Sequence, residues 1–273
     1  MEFKHALITG GSSGIGRALA LKLAASGHNV SMIARREELL KATAAEVASR
    51  FAQAGQRVFT QAADVADGAQ AEASVEASIR ELGAPDLVIV SAGIVVPGHF
   101  ADIPREAFER SMAVNYFGSL YVVRAALPAM RARQRGRIVF ISSGAGLLGF
   151  FGYSTYSPTK FALRGLAETL RAELRADKIG VSIAYPPDTD TPMLTEENKT
   201  KPEETKLITG SVKTWSADAV ADCILKGVAK GAFGIAPGAT LTMMNRFPGL
   251  VNPIVTLYAD WMADSARKKR AKR

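Results

Sequence analysis

"HALITGGSSGIGRALALKLAASG", residues 5–27, decides how the rest of the chain is read. A short apolar run, His5–Thr9, enters a glycine-rich turn, Thr9–Gly16, and leaves it as a helical pattern that closes on Gly27. Glycines at 10, 14 and 16 allow a tight turn, bring backbone N–H groups close to a ligand and let the helix pack on the strand. The helix N-terminus offers the positive end of its dipole, which suits a pyrophosphate. Gly10, Ser12, Ser13, Gly14, Ile15 and Gly16 are therefore candidate cofactor-binding residues. The spacing is G-x-x-x-G-x-G rather than the usual G-x-G-x-x-G, and such a turn on its own serves structure as readily as a ligand.

The same strand-then-helix pattern repeats along the chain. "HALIT", "NVSMIA", "RVFTQAAD", "DLVIVSAG", "RIVFISS", "GVSIAY" and "FGIAP" read as seven strands, most of them apolar throughout, as strands covered on both faces must be. Between them lie helical stretches such as "REELLKATAAEVASRFAQAG", residues 36–55, again ending on glycine. The expectation is an α/β fold: a Rossmann-like doubly wound sheet of about seven parallel strands with helices on both faces, a single domain over residues 1–238. Two stretches break the pattern. Residues 187–214 are expected to form a loop or lid over the substrate, and residues 239–273 an apolar C-terminal segment with a basic tail.

With 48% hydrophobic and 22% charged residues, the 273-residue chain reads as globular rather than disordered. The single cysteine, Cys223, excludes an intramolecular disulfide, fits a reducing compartment and reads as a small core residue. Of the +8 net charge, six cations lie in the last seven residues, "RKKRAKR", so the basicity belongs to the tail. A solvated end and attraction to an anionic membrane are its two readings; no aromatics interleave with the cations, so no nucleic-acid partner is expected. No metal site is expected either. Met1–His5 leads directly into a strand with no secretory signal, and the longest apolar run, "FPGLVNPIVTLYADWM", is broken by Pro248, Pro253 and Asp260. The expected location is cytoplasmic, with peripheral contact to the cytoplasmic face of a membrane. Residues 239–266, with Met243, Met244, Phe247, Leu250, Val251, Ile254, Val255 and Trp261, suit that contact, and equally suit completion of the core or of a dimer interface.

At the end of the second strand the chain reads "ARRE", placing Arg35 19 residues beyond Gly16. An acid at such a position would hold a ribose 2′-hydroxyl, whereas a guanidinium can grip a 2′-phosphate. Arg35, assisted by Arg36, therefore points to NADP(H), and Glu37 is explained by the preference of a helix's first turn for acids.

"YSTYSPTK" holds Tyr156 and Lys160 one helical turn apart. An ammonium beside a phenol is expected to lower its pKa, making tyrosine a usable acid near neutral pH. Ser143 ends the fifth strand 13 residues before Tyr156, where its hydroxyl could hydrogen-bond a carbonyl oxygen.

Taken together, Thr9-Gly10…Gly14-Ile15-Gly16, Asp64-Val65, Ser91-Ala92-Gly93, Asn115, Ser143 and Tyr156…Lys160 resemble the short-chain dehydrogenase/reductase family over about residues 3–238. The resemblance implies that Tyr156 protonates the substrate oxygen, Lys160 assists it and binds the nicotinamide ribose, and Ser143 orients the carbonyl. Asn115 would hold a relay water through its backbone. Asp64 and Val65 would flank adenine, with Ala92 and Gly93 beside the cofactor, and a homo-oligomer, dimer or tetramer, is implied. Ser91 departs from the family's asparagine.

The family follows its sixth strand with Pro-Gly and a threonine that meets the nicotinamide amide; here Pro186 is kept, Pro187 replaces the glycine and Thr191 takes the threonine position. "YPPDTDTP" with "EENKTKPEET" resembles the branch whose members reduce the keto group of 3-ketodihydrosphingosine, a long-chain sphingoid base precursor, with NADPH. That implies a long-chain lipid-like ketone as substrate, with Asp188 and Asp190 facing its amine. Leu147, Phe150 and Phe151 in "GLLGFFG" are expected to wall the pocket, although they suit core packing as well. Other readings stay open: a reductase of another lipid-like ketone, such as a hydroxysteroid or 3-oxoacyl thioester, or a non-catalytic NADP-binding regulator.

Overall fold

A computed structural model describes residues 4–210 and 212–270, with every side chain in those ranges except Lys269 and Arg270. The first half runs β1 (His5–Thr9), α1 (Gly14–Ala25), β2 (Asn29–Ala34), α2 (Glu37–Ala48), β3 (Val58–Ala62), α3 (Gly68–Leu82) and β4 (Leu87–Val90). Then follow α4 (Arg105–Met112), a π-helical turn over Ala113–Phe117, α5 (Gly118–Ala132), β5 (Gly136–Ile141), α6 (Ser157–Glu173) and β6 (Ile179–Ala184). The last third holds β7 (Thr189–Asp190), α7 (Pro192–Thr200), α8 (Glu203–Gly210), β8 (Trp215–Ser216), α9 (Ala217–Ala229), β9 (Gly234–Ile235), α10 (Ala239–Arg246) and α11 (Pro248–Arg270).

Among the described residues seven strands form one parallel sheet, in the order β3-β2-β1-β4-β5-β6-β9, while β7 and β8 pair separately. The apolar character of β1 follows from this layout. Ala6 and Ile8 pack on one face against Leu19 and Leu23 of α1, Leu40 of α2 and Ile224 of α9. Leu7 packs on the other against Val75 of α3, Val122 of α5 and Leu163 of α6. With helices on both faces, a side chain pointing either way from β1 is buried. The strand order reverses between β1 and β4, and the crevice beyond their carboxyl ends is where doubly wound sheets bind ligands.

Three expectations need correction. The helix expected to reach Gly55 stops at Ala48, because Gln56 ties the following loop to the end of α1 through Ala24 O and His28 O at 2.9 Å each. Of "FGIAP" only Gly234 and Ile235 pair as a strand. Cys223 is half-buried on α9 rather than a core residue.

The described part of residues 187–214 folds into β7, α7 and α8, and α7 and α8 border the cavity at the carboxyl end of the sheet. Residues 239–270 divide their apolar side chains between two directions. Met244 is buried, Val251 and Val255 pack on the sheet's core, and Ala259 and Ala263 join Ile208 of α8. Leu250, Ile254, Leu257 and Trp261 face outward, between 62% and 71% exposed. Of the basic tail, Arg267 and Lys268 have described side chains; residues 271–273 lie outside the described residues.

Candidate active site

The glycine turn is built for close approach. Gly10 adopts φ +68°, and a Cβ there would come within 2.9 Å of Ala92 N; one on Gly16 would lie 2.3 Å from Gly10 O. Thr9 Oγ1 ties the turn to the next strand's end by accepting from Ser91 N at 3.1 Å and Ala92 N at 3.2 Å. The backbone of Ser91 makes this contact, so serine in place of asparagine leaves it intact.

Beside the turn, a cleft of about 110 Å³ brings Gly10, Ser12, Ser13, Arg35, Arg36, Asp64, Val65, Ala92 and Gly93 together. Burial would raise the Asp64 carboxyl, but Arg110, the Ala66 N–H and the Arg35 charge together hold it below its ordinary value. With Asp64 paired to Arg110, neither Arg35 nor Arg36 makes an ion pair among the described residues. Backbone that admits nothing larger than glycine, beside two guanidinium groups with no ion pair among the described residues, fits the phosphates of a nicotinamide dinucleotide.

A second cavity, about 400 Å³, starts at Gly10, Ser13, Gly14, Ile15 and Gly16 and runs past Ser143, Tyr156 and Lys160. Ser143 lies two residues beyond β5, and its Oγ accepts from Ala145 N at 3.2 Å, which leaves its own proton for the Tyr156 oxygen. Tyr156 caps α6, and Lys160 N donates to its carbonyl at 3.2 Å, so the expected turn between the two side chains is the first of the helix. Lys160 Nζ is buried, donates to Ile141 O at 3.0 Å and stands 5.3 Å from the Tyr156 ring centre. Burial lowers its pKa to about 8.

The expected lowering of the Tyr156 pKa is not what the surroundings produce. Burial pushes the phenol up; the Ser143 hydrogen bond opposes this, and the Glu197 and Asp188 carboxylates add to it. Tyr156 therefore stays protonated at neutral pH, the form required of a proton donor.

Asn115 is a strut. Its Oδ1 accepts from Ile94 N at 2.8 Å, while its Nδ2 donates to Ile94 O at 3.0 Å and Thr159 Oγ1 at 2.9 Å. It thus joins the loop after β4 to α6. Its backbone carbonyl, expected to hold a water, accepts from Ser119 Oγ at 2.8 Å.

Beyond β6, Pro186 and Pro187 line the cavity, and Pro186 O accepts from Gly144 N at 3.0 Å. Thr191 also borders the cavity; its Oγ1 caps α7 by accepting from Leu194 N at 3.3 Å, and its methyl lies against Gly14.

The expected substrate residues separate. Phe150 and Asp188 line the cavity. Leu147 does not: it is 2% exposed in the sheet's core, with its carbonyl accepting from Asn252 Nδ2 at 2.9 Å. Phe151 packs away from the cavity against His99 and Arg267, and Asp190 faces solvent. In their place α7, α10 and α11 supply Met193, Leu194, Leu241, Met244, Val255 and Tyr258. Tyr153 and Glu197, also on the wall, escaped the sequence reading. The Tyr153 hydroxyl donates to Glu197, and Lys201 Nζ stands 2.8 Å from Glu197 Oε1 and 3.5 Å from Asp188.

A dinucleotide turn at the sheet's switch point, opening on a serine, a tyrosine and a lysine, defines a nicotinamide-dependent oxidoreductase of the Rossmann class. The short chain dehydrogenase family model matches residues 4–202, and the chain belongs to that family. It is 40% identical to a 3-dehydrosphinganine reductase of Danio rerio over 93% of this chain and 76% of the relative. It is 38% identical to a 3-ketodihydrosphingosine reductase of Dictyostelium discoideum over 94% and 85%. Levodione reductase superposes with TM-score 0.79 at 25% identity, covering 89% of this chain and 98% of that one. A short chain dehydrogenase/reductase from Burkholderia phymatum in complex with NAD gives 0.78 at 26%, over 89% and 92%.

Proposed function

We propose that the chain reduces the ketone of 3-ketodihydrosphingosine to the alcohol dihydrosphingosine, with NADPH as the reductant. The observation that carries this reading is the continuity of one cavity from the glycine turn, past Ser143 and Tyr156, to the apolar side chains of α7, α10 and α11. A long alkyl chain needs such a wall beside the reacting carbonyl. The names of the relatives point the same way.

A nicotinamide held along the glycine turn and beside Lys160 would supply the hydride for the ketone carbon. Ser143 donates a hydrogen bond to the ketone oxygen and Tyr156 delivers the proton that completes the alcohol. The tyrosinate left behind is stabilised by the Lys160 ammonium, close to it and shielded from water. Arg35 and Arg36 favour the 2′-phosphate of NADPH, being the cleft's unengaged cations.

The outward stripe Leu250–Ile254–Leu257–Trp261 supports contact with an anionic membrane surface. A helix apolar on its inner face as well as its outer one is ordinarily covered on both. Arg246 at the end of α10 and Arg267 and Lys268 near the end of α11 flank the stripe with cations. Tyr258 is at once 47% exposed and part of the cavity wall, so a lipid held at this face lies next to the cavity. No helix among the described residues is long and apolar enough to cross a membrane.

The test is NADPH consumption by the purified protein with the long-chain amino-ketone, a ketosteroid and a 3-oxoacyl thioester. A clear preference in kcat/KM for the amino-ketone is expected; a preference for either other class would replace this substrate.

A further inference from the structure

The cavity wall beside Tyr156 carries a charge imbalance that the reduction of a plain ketone does not use. Glu197 of α7 and Asp188, ahead of β7, both line the cavity, and one cation, Lys201, lies between them at 2.8 and 3.5 Å. Lys201 is 1% exposed and Glu197 10%, so water screens their interaction little. Two carboxylates and one ammonium leave one net negative charge on this wall, while the Lys160 ammonium, also on the cavity, is turned to Ile141 O and the Tyr156 ring; a carboxylate so placed costs energy unless a further cation arrives.

Tyr153 places this charge. Its hydroxyl donates to Glu197, and its ring lies 5.9 Å from that of Tyr156, centre to centre. The carboxylate is therefore held one aromatic neighbour away from the proton donor. Both carboxylates lie close enough to act electrostatically on the Tyr156 phenol. A substrate whose ketone oxygen meets Tyr156 and whose adjacent carbon bears an ammonium would bring that ammonium toward this wall.

We infer that Glu197, held by Tyr153 and Lys201 and seconded by Asp188, is the specificity-determining residue that selects a ketone bearing an ammonium on the neighbouring carbon. The inference rests on the proposed substrate reading. It assigns the selectivity to a residue of α7 rather than to Asp190, whose side chain is solvated. Lys201 acts as a positioning residue: it keeps the two carboxylates together without neutralising both. The apolar wall takes the alkyl chain in either case, so the loss of the charge should be felt by the amine and not by the chain.

The experiment compares the amino-ketone with 1-hydroxyoctadecan-3-one, identical but for the missing amine, in wild type, Glu197→Gln and Asp190→Asn. Glutamine keeps the size and accepts from Tyr153 but removes the charge. A charged hydrogen bond is stronger than a neutral one by enough to predict a loss of roughly tenfold or more in kcat/KM for the amino-ketone, through KM. The ratio of kcat/KM for the amino-ketone to that for the amine-free ketone is the readout: it should fall roughly tenfold in Glu197→Gln, whatever the smaller common effect on both substrates, and stay within about twofold in Asp190→Asn. Equal losses for the two substrates in Glu197→Gln, or no loss for either, would overturn the inference while leaving the reductase reading intact. Wild type that reduces neither substrate would overturn the reductase reading itself, and the inference with it. A second measurement needs no variant: dodecylammonium should inhibit wild type at least about tenfold more strongly than dodecanol, competitively with the ketone. Equal inhibition by the two would overturn the inference as well.

Discussion

Lys160 Nζ stands 5.3 Å from the centre of the Tyr156 ring while donating to the Ile141 carbonyl at 3.0 Å. The lysine is thus anchored by the end of β5 and presents its buried charge to the phenol. Because burial lowers its pKa to about 8 while the phenol is pushed upward, the first group to titrate on the alkaline side is Lys160, not Tyr156. The ammonium form, which stabilises tyrosinate, is present below about 8 and lost as pH rises through it. kcat/KM for reduction should therefore fall above that pH. The residual activity of Lys160→Ala should show no such fall; a fall of the same shape in that variant would assign the titration elsewhere.

Tyr156→Phe removes the proton donor but no part of the glycine turn. Turnover should drop by about 10²–10⁴-fold, with NADPH binding, read from the quenching of nucleotide fluorescence, nearly unchanged. A variant retaining most of its activity would contradict the assignment.

Arg35→Asp should weaken NADPH while leaving NADH less affected, because it removes one of two unengaged cations of the cleft and sets a negative charge against the 2′-phosphate. The ratio of kcat/KM for the two nucleotides is the readout. An unchanged ratio would mean that the end of β2 does not choose the cofactor.

Leu147→Ala tests core against wall. At 2% exposure within the sheet's main cluster, this leucine should cost about 2–5 kcal/mol of stability when truncated, measured by urea unfolding. Phe150→Ala, which opens the cavity, should instead raise KM for the long-chain ketone. The reverse pattern would return Leu147 to the cavity wall.

Ile254→Asp with Leu257→Asp breaks the outward stripe of α11 without touching its packed side. Co-sedimentation with vesicles containing phosphatidylserine should fall, and reduction of a soluble short-chain ketone should persist. Wild type that ignores the vesicles and elutes as a dimer lost in this variant would make the stripe an interface between two copies.

The sheet was legible because burial on both faces forces the middle of each strand to be apolar, as Ala6, Leu7 and Ile8 of β1, all of β4, and Ile138, Val139 and Phe140 of β5 are. Ser143, Tyr156 and Lys160 were legible from short fixed spacings that the end of β5 and the first turn of α6 preserve. The far side of the cavity was not. Tyr153 meets Glu197 across 44 residues, and although residues 187–214 were expected to cover the substrate, nothing in "EENKTKPEET" says which of its acids turns toward the cavity until α7 and α8 are in place. Asp188 and Asp190 look equivalent in sequence, yet one lines the cavity and the other faces water. Leu147 and Phe150 likewise part company on either side of an irregular turn, where neither helical nor strand periodicity says which residue points inward. The upward shift of Tyr156 was missed because its main cause is burial, with Glu197 and Asp188 adding to it, and neither the burial nor those two neighbours can be read from the local pattern around the tyrosine.

The most direct measurement follows the hydride. Purified protein is given 3-ketodihydrosphingosine and NADPH deuterated at both C4 positions, and the product is analysed by mass spectrometry. The account predicts dihydrosphingosine carrying one deuterium on the former ketone carbon, formed by wild type and nearly absent with Tyr156→Phe. An unlabelled alcohol, or no conversion of this ketone by wild type that turns over another lipid ketone, would contradict it.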